Sequence, residues 1–170
     1  MKNKFYIIAI LLLTVFFLSG AKTFAQEEDK GKMSEQHRNN VAKVVEEIKK
    51  AADKDAVIGE EVKIVADEEN ETAKDVSAKM EMVEKRGGFK TFLIGSDYKN
   101  LGALRSELMT TQNHIDRMTK SLERSSSSEA KTDLEIQIKA LDGILVKAQA
   151  FATDLEGKFS LFGWLVRMFK

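Results

Sequence analysis

The sequence predicts an all-α protein: a long antiparallel coiled-coil helical hairpin with additional N-terminal helices, arranged as a three- to four-helix bundle or in a more elongated form. Three observations carry this expectation. The 170 residues contain no proline, while 32% are charged and Ala, Glu, Lys and Leu are plentiful, a composition that favours long helices over turn-rich β architecture. Apolar residues recur at spacings of three and four through most of residues 41–155, the period of a helix with one buried face. The clearest punctuation falls at Gly87 and Gly88, at Gly95 and Ser96, and at Ser125 to Ser128, where helices are expected to stop and start.

The same composition narrows function. Lys plus Arg and Asp plus Glu are tied at 27 each, which argues against the basic footprint of a nucleic-acid binder. There is no cysteine, so disulfide scaffolds, thiol catalysis, Cys-ligated zinc and a lipid-modified N-terminal cysteine are excluded.

Residues 1–25 read as a signal peptide. Lys2 and Lys4 precede an apolar run from Phe5 to Leu18, interrupted only by Thr14 and followed by the small and polar stretch Ser19 to Ala25, the three-part pattern of a secretory signal. As a helix the run would reach about 21 Å, short of the roughly 30 Å hydrocarbon core of a bilayer. Cleavage is expected after Ala25, with Ala21 as the variant position and an uncleaved N-terminal anchor as the alternative. Residues 1–25 hold three basic residues and no acid, so the remainder carries 24 basic against 27 acidic residues. Residues 26–84 hold 17 acids and 10 bases, and residues 85–170 hold 10 acids and 14 bases. The two halves are expected to attract one another, within a chain or between chains.

Residues 26–33 are polar and without period, a flexible lead-in. An acidic helical segment follows over 34–86. Ser34 is the expected N-cap, and Val41, Val44, Val45, Ile48, Ala51 and Ala52 place a first helix over 35–53. The stretch 53–59 weakens the pattern with two acids and a glycine, after which Val62, Val65, Ala66, Ala73, Val76, Met80 and Val83 place a second helix over 60–86. A single helix crossing the break is the alternative. Residues 87–96 form a glycine-hinged apolar connector, with Ser96 and Asp97 as helix starters.

The hairpin spans 97–156. Leu101, Leu104, Leu108, Thr111, Ile115, Met118 and Leu122 alternate spacings of three and four, as do Leu134, Ile138, Leu141, Leu145, Ala148, Ala152 and Leu155 beyond the serines. Two such seams, on helices over 97–124 and 129–156, joined by a short connection imply antiparallel pairing. Two helices alone leave a thin core, so a third surface is required; the second helix has the length to supply it, and a partner chain is the competing source.

Segments 90–107 (KTFLIGSDYKNLGALRSE) and 157–169 (GKFSLFGWLVRMF) resemble an uncharacterised family of small exported bacterial helical proteins. The likeness covers the last 85 residues well and the acidic half loosely, and it implies a bacterial, envelope-facing setting without assigning any functional residue. In outline the chain is also similar to periplasmic holdase chaperones with helical-hairpin arms, although those are strongly basic and this chain is not.

Eight aromatic residues remain beyond residue 25, in two groups: Phe89, Phe92 and Tyr98, then Phe151, Phe159, Phe162, Trp164 and Phe169. In an antiparallel hairpin both groups lie at the end opposite the serine turn. Residues 157–170 form an aromatic amphipathic segment that either folds back on Phe89, Phe92 and Ile94 as a small core or presents a surface to a membrane interface or a partner. The expected interaction surface comprises Phe89, Phe92, Tyr98, Phe159, Phe162, Trp164, Leu165, Arg167 and Phe169. His37 and His114, the only histidines, are expected to be solvated, as is the acidic run Asp67 to Glu71. No nucleophile elbow, paired-histidine metal motif or phosphate-cradling glycine loop occurs, so no catalytic, cofactor or metal site is expected. The chain reads as a non-enzymatic exported protein of the bacterial cell envelope, periplasm or exterior. It is expected to act on a membrane surface, a protein partner or a second copy of itself, and not on nucleic acid; a holdase is the alternative.

Overall fold

The computed structural model describes residues 31–86 and 95–157. They form four helices, α1 (Gly31–Ala52), α2 (Gly59–Glu84), α3 (Tyr98–Leu122) and α4 (Ser128–Glu156), with no strand among the described residues. α1 packs on α2 and α4, and α3 also packs on α2 and α4, so each helix has two packed neighbours. Cross-helix pairs set the directions. Lys49 meets Asp67; Arg124 meets Glu61 at 2.6 Å while Arg86 meets Asp97 at 3.2 Å. Ser96, before α3, donates to the Leu155 carbonyl near the end of α4 at 2.7 Å, and Lys54 reaches Glu129 and Asp133 of α4 at 2.8 Å each. Neighbouring helices therefore run antiparallel.

The apolar stripes account for this packing. Every residue of the two seven-residue seams on α3 and α4 is buried, and so are Val41, Val45, Ile48, Ala51 and Ala52 of α1 and all seven apolar positions expected on α2. A helix with one apolar face must cover it against another element. α2 covers the side of α3, and α1 that of α4, so the third surface comes from the same chain. The acidic α2 lies against α3 with Glu61–Arg124 and Glu68–Arg117 pairs. These pairs are about half exposed, so they align the helices more than they stabilise them.

One local feature differs from expectation, and the expected break between the first two helices is present. α1 begins at Gly31, and Ser34 lies buried within it instead of capping it. The first two helices are not continuous, because residues 53–58 form a turn. Asp55 explains the break: its Oδ1 accepts the Val57 and Ile58 amides at 2.8 and 3.2 Å, donors that a continuing helix would give to its own carbonyls. Gly59 then passes so close to α1 that a Cβ there would lie 2.4 Å from the Ala52 carbonyl oxygen, a contact only glycine tolerates. The other starts follow ordinary capping, with Asp97 accepting from the Asn100 amide and Ser127 from the Ala130 amide.

Asp55 also joins the two turns at this end. Its carboxylate accepts from Ser125 Oγ at 2.7 Å, from the Ser126 amide and hydroxyl at 2.8 and 3.1 Å, and from the Ser127 amide at 3.0 Å. One buried side chain thus satisfies donors from both the α1–α2 and α3–α4 connections. The Ser125 hydroxyl and the backbone amides outweigh burial and hold the carboxyl well below the ordinary carboxylate range. A carboxyl lowered by folding contributes stability that is complete above its ordinary value of 3.8 and is lost as pH falls below it. Asp55→Ala is therefore expected to lower the melting temperature at pH 7 by several degrees and to blunt the loss of stability below pH 4, as measured by thermal unfolding across pH.

Candidate functional site

Antiparallel packing places the start of α1, the end of α2, the start of α3 and the end of α4 at one end of the molecule, opposite Asp55 and the serine turn. This is where the chain continues into residues 1–30, 87–94 and 158–170. Of the sequence-predicted surface, Phe89, Phe92, Phe159, Phe162, Trp164, Leu165, Arg167 and Phe169 lie outside the described residues. Tyr98 is described, and it is 61% exposed at the first position of α3.

The frame that carries these segments is tightly bonded. Arg86 Nη1 lies 3.2 Å from Asp97 Oδ2, with both side chains less than one-fifth exposed. Asp97 also accepts from the Asn100 side-chain amide at 2.9 Å. Burial pushes the Asp97 carboxyl up, but the Asn100 donors and the Arg86 guanidinium outweigh it and hold the group below its ordinary value. Gly95 adopts φ 101, a left-handed conformation that suits glycine, and Ser96 then reaches across to Leu155. Arg105 of α3 pairs with Glu156 on the last turn of α4. Arg86, just before 87–94, is thus paired with Asp97 beyond it, and Ser96 is tied to the stretch from which 158–170 departs. The two aromatic-bearing segments attach to a common base.

Two described features at this end were not expected from sequence. His37 is 5% exposed, not solvated, and its Nε2 has no hydrogen-bond partner. Burial lowers its pKa to about 4 from the ordinary 6.5. The signal was its place four residues before Val41, on the apolar stripe of α1. Nearby, α1 and α2 border a polar groove of about 270 Å³ lined by Ser34, Glu35, Arg38, Lys74, Ser77 and Glu81. Its charges alternate in sign, so it favours neither an anion nor a cation.

His114 and Glu69 are also buried, contrary to the solvated positions expected of them, and they contact each other between α2 and α3. Among the described residues no group of three or more metal-ligating side chains converges, and no helix is long and apolar enough to cross a membrane. Comparison of the chain with protein-family models, with curated proteins and with solved structures returns no match.

The buried His37 sets a pH dependence at this end. A histidine whose folded value is lowered contributes stability that is complete above 6.5 and is lost as pH falls toward about 4. Acidification over that interval is expected to weaken the fold by on the order of 3 kcal/mol. In urea titrations at pH 7 and pH 4, His37→Leu should remove most of that loss; an unchanged acid loss contradicts the assignment.

Proposed function

We propose that this chain is a non-enzymatic, exported protein of the bacterial cell envelope that acts by seating its aromatic end on an anionic membrane surface. On this reading residues 1–25 direct export. The four helices form an antiparallel bundle, with α3 and α4 paired as a coiled-coil hairpin, and the bundle is the rigid body that presents the aromatic end. Phe89, Phe92, Tyr98, Phe159, Phe162, Trp164, Leu165, Arg167 and Phe169 make up the interaction surface.

The observation that carries the proposal is the chemistry of the two segments that depart from the base. Residues 85–94 and 157–170 together contain six aromatic residues, six cations (Lys85, Arg86, Lys90, Lys158, Arg167 and Lys170) and no acid, whereas the rest of the chain holds 21 basic against 27 acidic residues. Aromatic rings with flanking cations suit the interfacial zone, where rings sit among headgroups and Lys or Arg meets anionic lipid. A buried core or an apolar partner groove gives no reason for that charge excess. Arg86 is engaged by Asp97 and Lys85 by Glu81, while Lys99 is exposed beside the base and adds to the positive side. A segment of 13 residues reaches about 20 Å as a helix, so it would lie in the interface and not span it. The packing of α1 on α4 and α2 on α3 supports this reading over a holdase, whose hairpin arms stand free to enclose a client.

Trp164 is the only tryptophan and reports on the segment directly. Vesicles containing anionic lipid are expected to shift its emission to the blue and to sediment the protein, with binding weakened by salt and by truncation after Gly157. Neutral vesicles should bind more weakly. Unchanged emission together with no sedimentation on anionic vesicles overturns the proposal, and suppression of client aggregation without vesicle binding would favour the holdase.

A further inference from the structure

Halfway along the α2–α3 contact lies a polar cluster that the interaction surface does not use. Glu69 of α2 is fully buried. Its Oε1 accepts the Thr111 hydroxyl at 3.1 Å, and its Oε2 lies 2.8 Å from Nδ1 of His114, itself 6% exposed, both from α3. The other ring nitrogen of His114 lies 3.7 Å from Glu68 Oε2, beyond hydrogen-bond reach, and Glu68 is engaged by Arg117 at the surface.

The remaining helices bring no counter-charge. By the register of the Lys49–Asp67 pair, the buried residues of α1 at this level are Val45 and Ile48, and the nearest α1 cation, Lys49, is held by Asp67. On α4, which packs against α1 and α3, the buried residues at this level are Ile138 and Leu141. A buried carboxylate without a counter-ion is costly. Neutrality at Glu69 therefore depends on a proton held in its contact with His114.

We propose that Glu69 and His114 form a proton-operated latch between α2 and α3, which tightens when the Glu69 carboxyl takes up a proton and loosens when that proton is lost. Burial pushes the Glu69 carboxyl up, and the bonds to His114 and Thr111 only partly offset it, so the group stays above its ordinary 4.5. A carboxyl raised by folding contributes stability that is complete below that ordinary value and is lost as pH rises through the folded value. The latch is tight in mild acid and slack toward alkaline pH. That sign is opposite to the sign of His37, which weakens the start of α1 in acid. Acidification thus firms the middle of one helix pair while loosening the beginning of another.

The test compares the full-length chain with Glu69→Gln, which keeps the size of the side chain, can accept from Thr111 and donate to His114, and carries no charge. In thermal unfolding from pH 4.5 to 8, the two curves should coincide near pH 4.5 and separate as pH rises. Glu69→Gln should melt about 3 °C or more above the parent at pH 8. His37 is common to both proteins and cancels in the difference. An equal or lower melting temperature for Glu69→Gln at pH 8 overturns the latch. Should the variant not fold, amide exchange in the parent decides. After correction for intrinsic rates, amides in 65–73 and 111–118 should be about tenfold less protected at pH 8 than at pH 5, and equal protection rejects the proposal.

Discussion

Each helix carries a single apolar stripe, and none can bury that stripe alone. Val41, Val45 and Ile48 of α1, Val62, Val65 and Val76 of α2, and the seams of α3 and α4 are all buried, because each helix finds two antiparallel neighbours in the same chain. The other features follow from this mutual coverage. Short connections at one end must turn the chain sharply, which Asp55 and Gly59 accomplish. The same topology gathers the start of α1, the end of α2, the start of α3 and the end of α4 at the opposite end. The two ends differ in chemistry: serine hydroxyls and a buried carboxylate at one, and attachment points for aromatic and cationic segments at the other.

Polar residues interrupt the apolar stripes at few places, and those places give the molecule its pH-dependent character. Asp55 is saturated with donors, so its charge is retained on folding. Glu69 has only Thr111 and His114, and His37 leaves a ring nitrogen without a partner. Uncompensated burial favours the neutral form of both Glu69 and His37, which raises the carboxyl and lowers the histidine, whereas the donors around Asp55 favour its charged form and lower it.

Helix number, helix order and the buried face of each helix were legible in the spacing of apolar residues, because a 3.6-residue period states which side must be covered. The ends were less legible. Ser34 has the chemistry of a cap, but α1 extends back to Gly31 and its interior claims that serine. The break at 53–58 was legible in the two acids and the glycine of 53–59, but the bonds from Asp55 to Ser125, Ser126 and Ser127, some 70 residues away, were not, because no local pattern supplies them. Glu69 and His37 are buried although polar, because each sits on an apolar stripe, Glu69 between Ala66 and Ala73 and His37 before Val41, where position on the helix outweighs polarity. Of the eight aromatic residues beyond residue 25, Tyr98 and Phe151 lie among the described residues, Tyr98 exposed at the start of α3 and Phe151 partly buried against the core near the end of α4.

On the proposed function the aromatic end, and not the serine end, meets the membrane. The chain contains no cysteine, so a single introduced cysteine can carry an environment-sensitive dye at either end. Tyr98→Cys lies at the base and Glu123→Cys at the exposed serine end. On addition of anionic vesicles a blue-shifted, brighter dye is expected at position 98 and no change at position 123. Equal responses at both positions, or a response at position 123 alone, would contradict the proposed function.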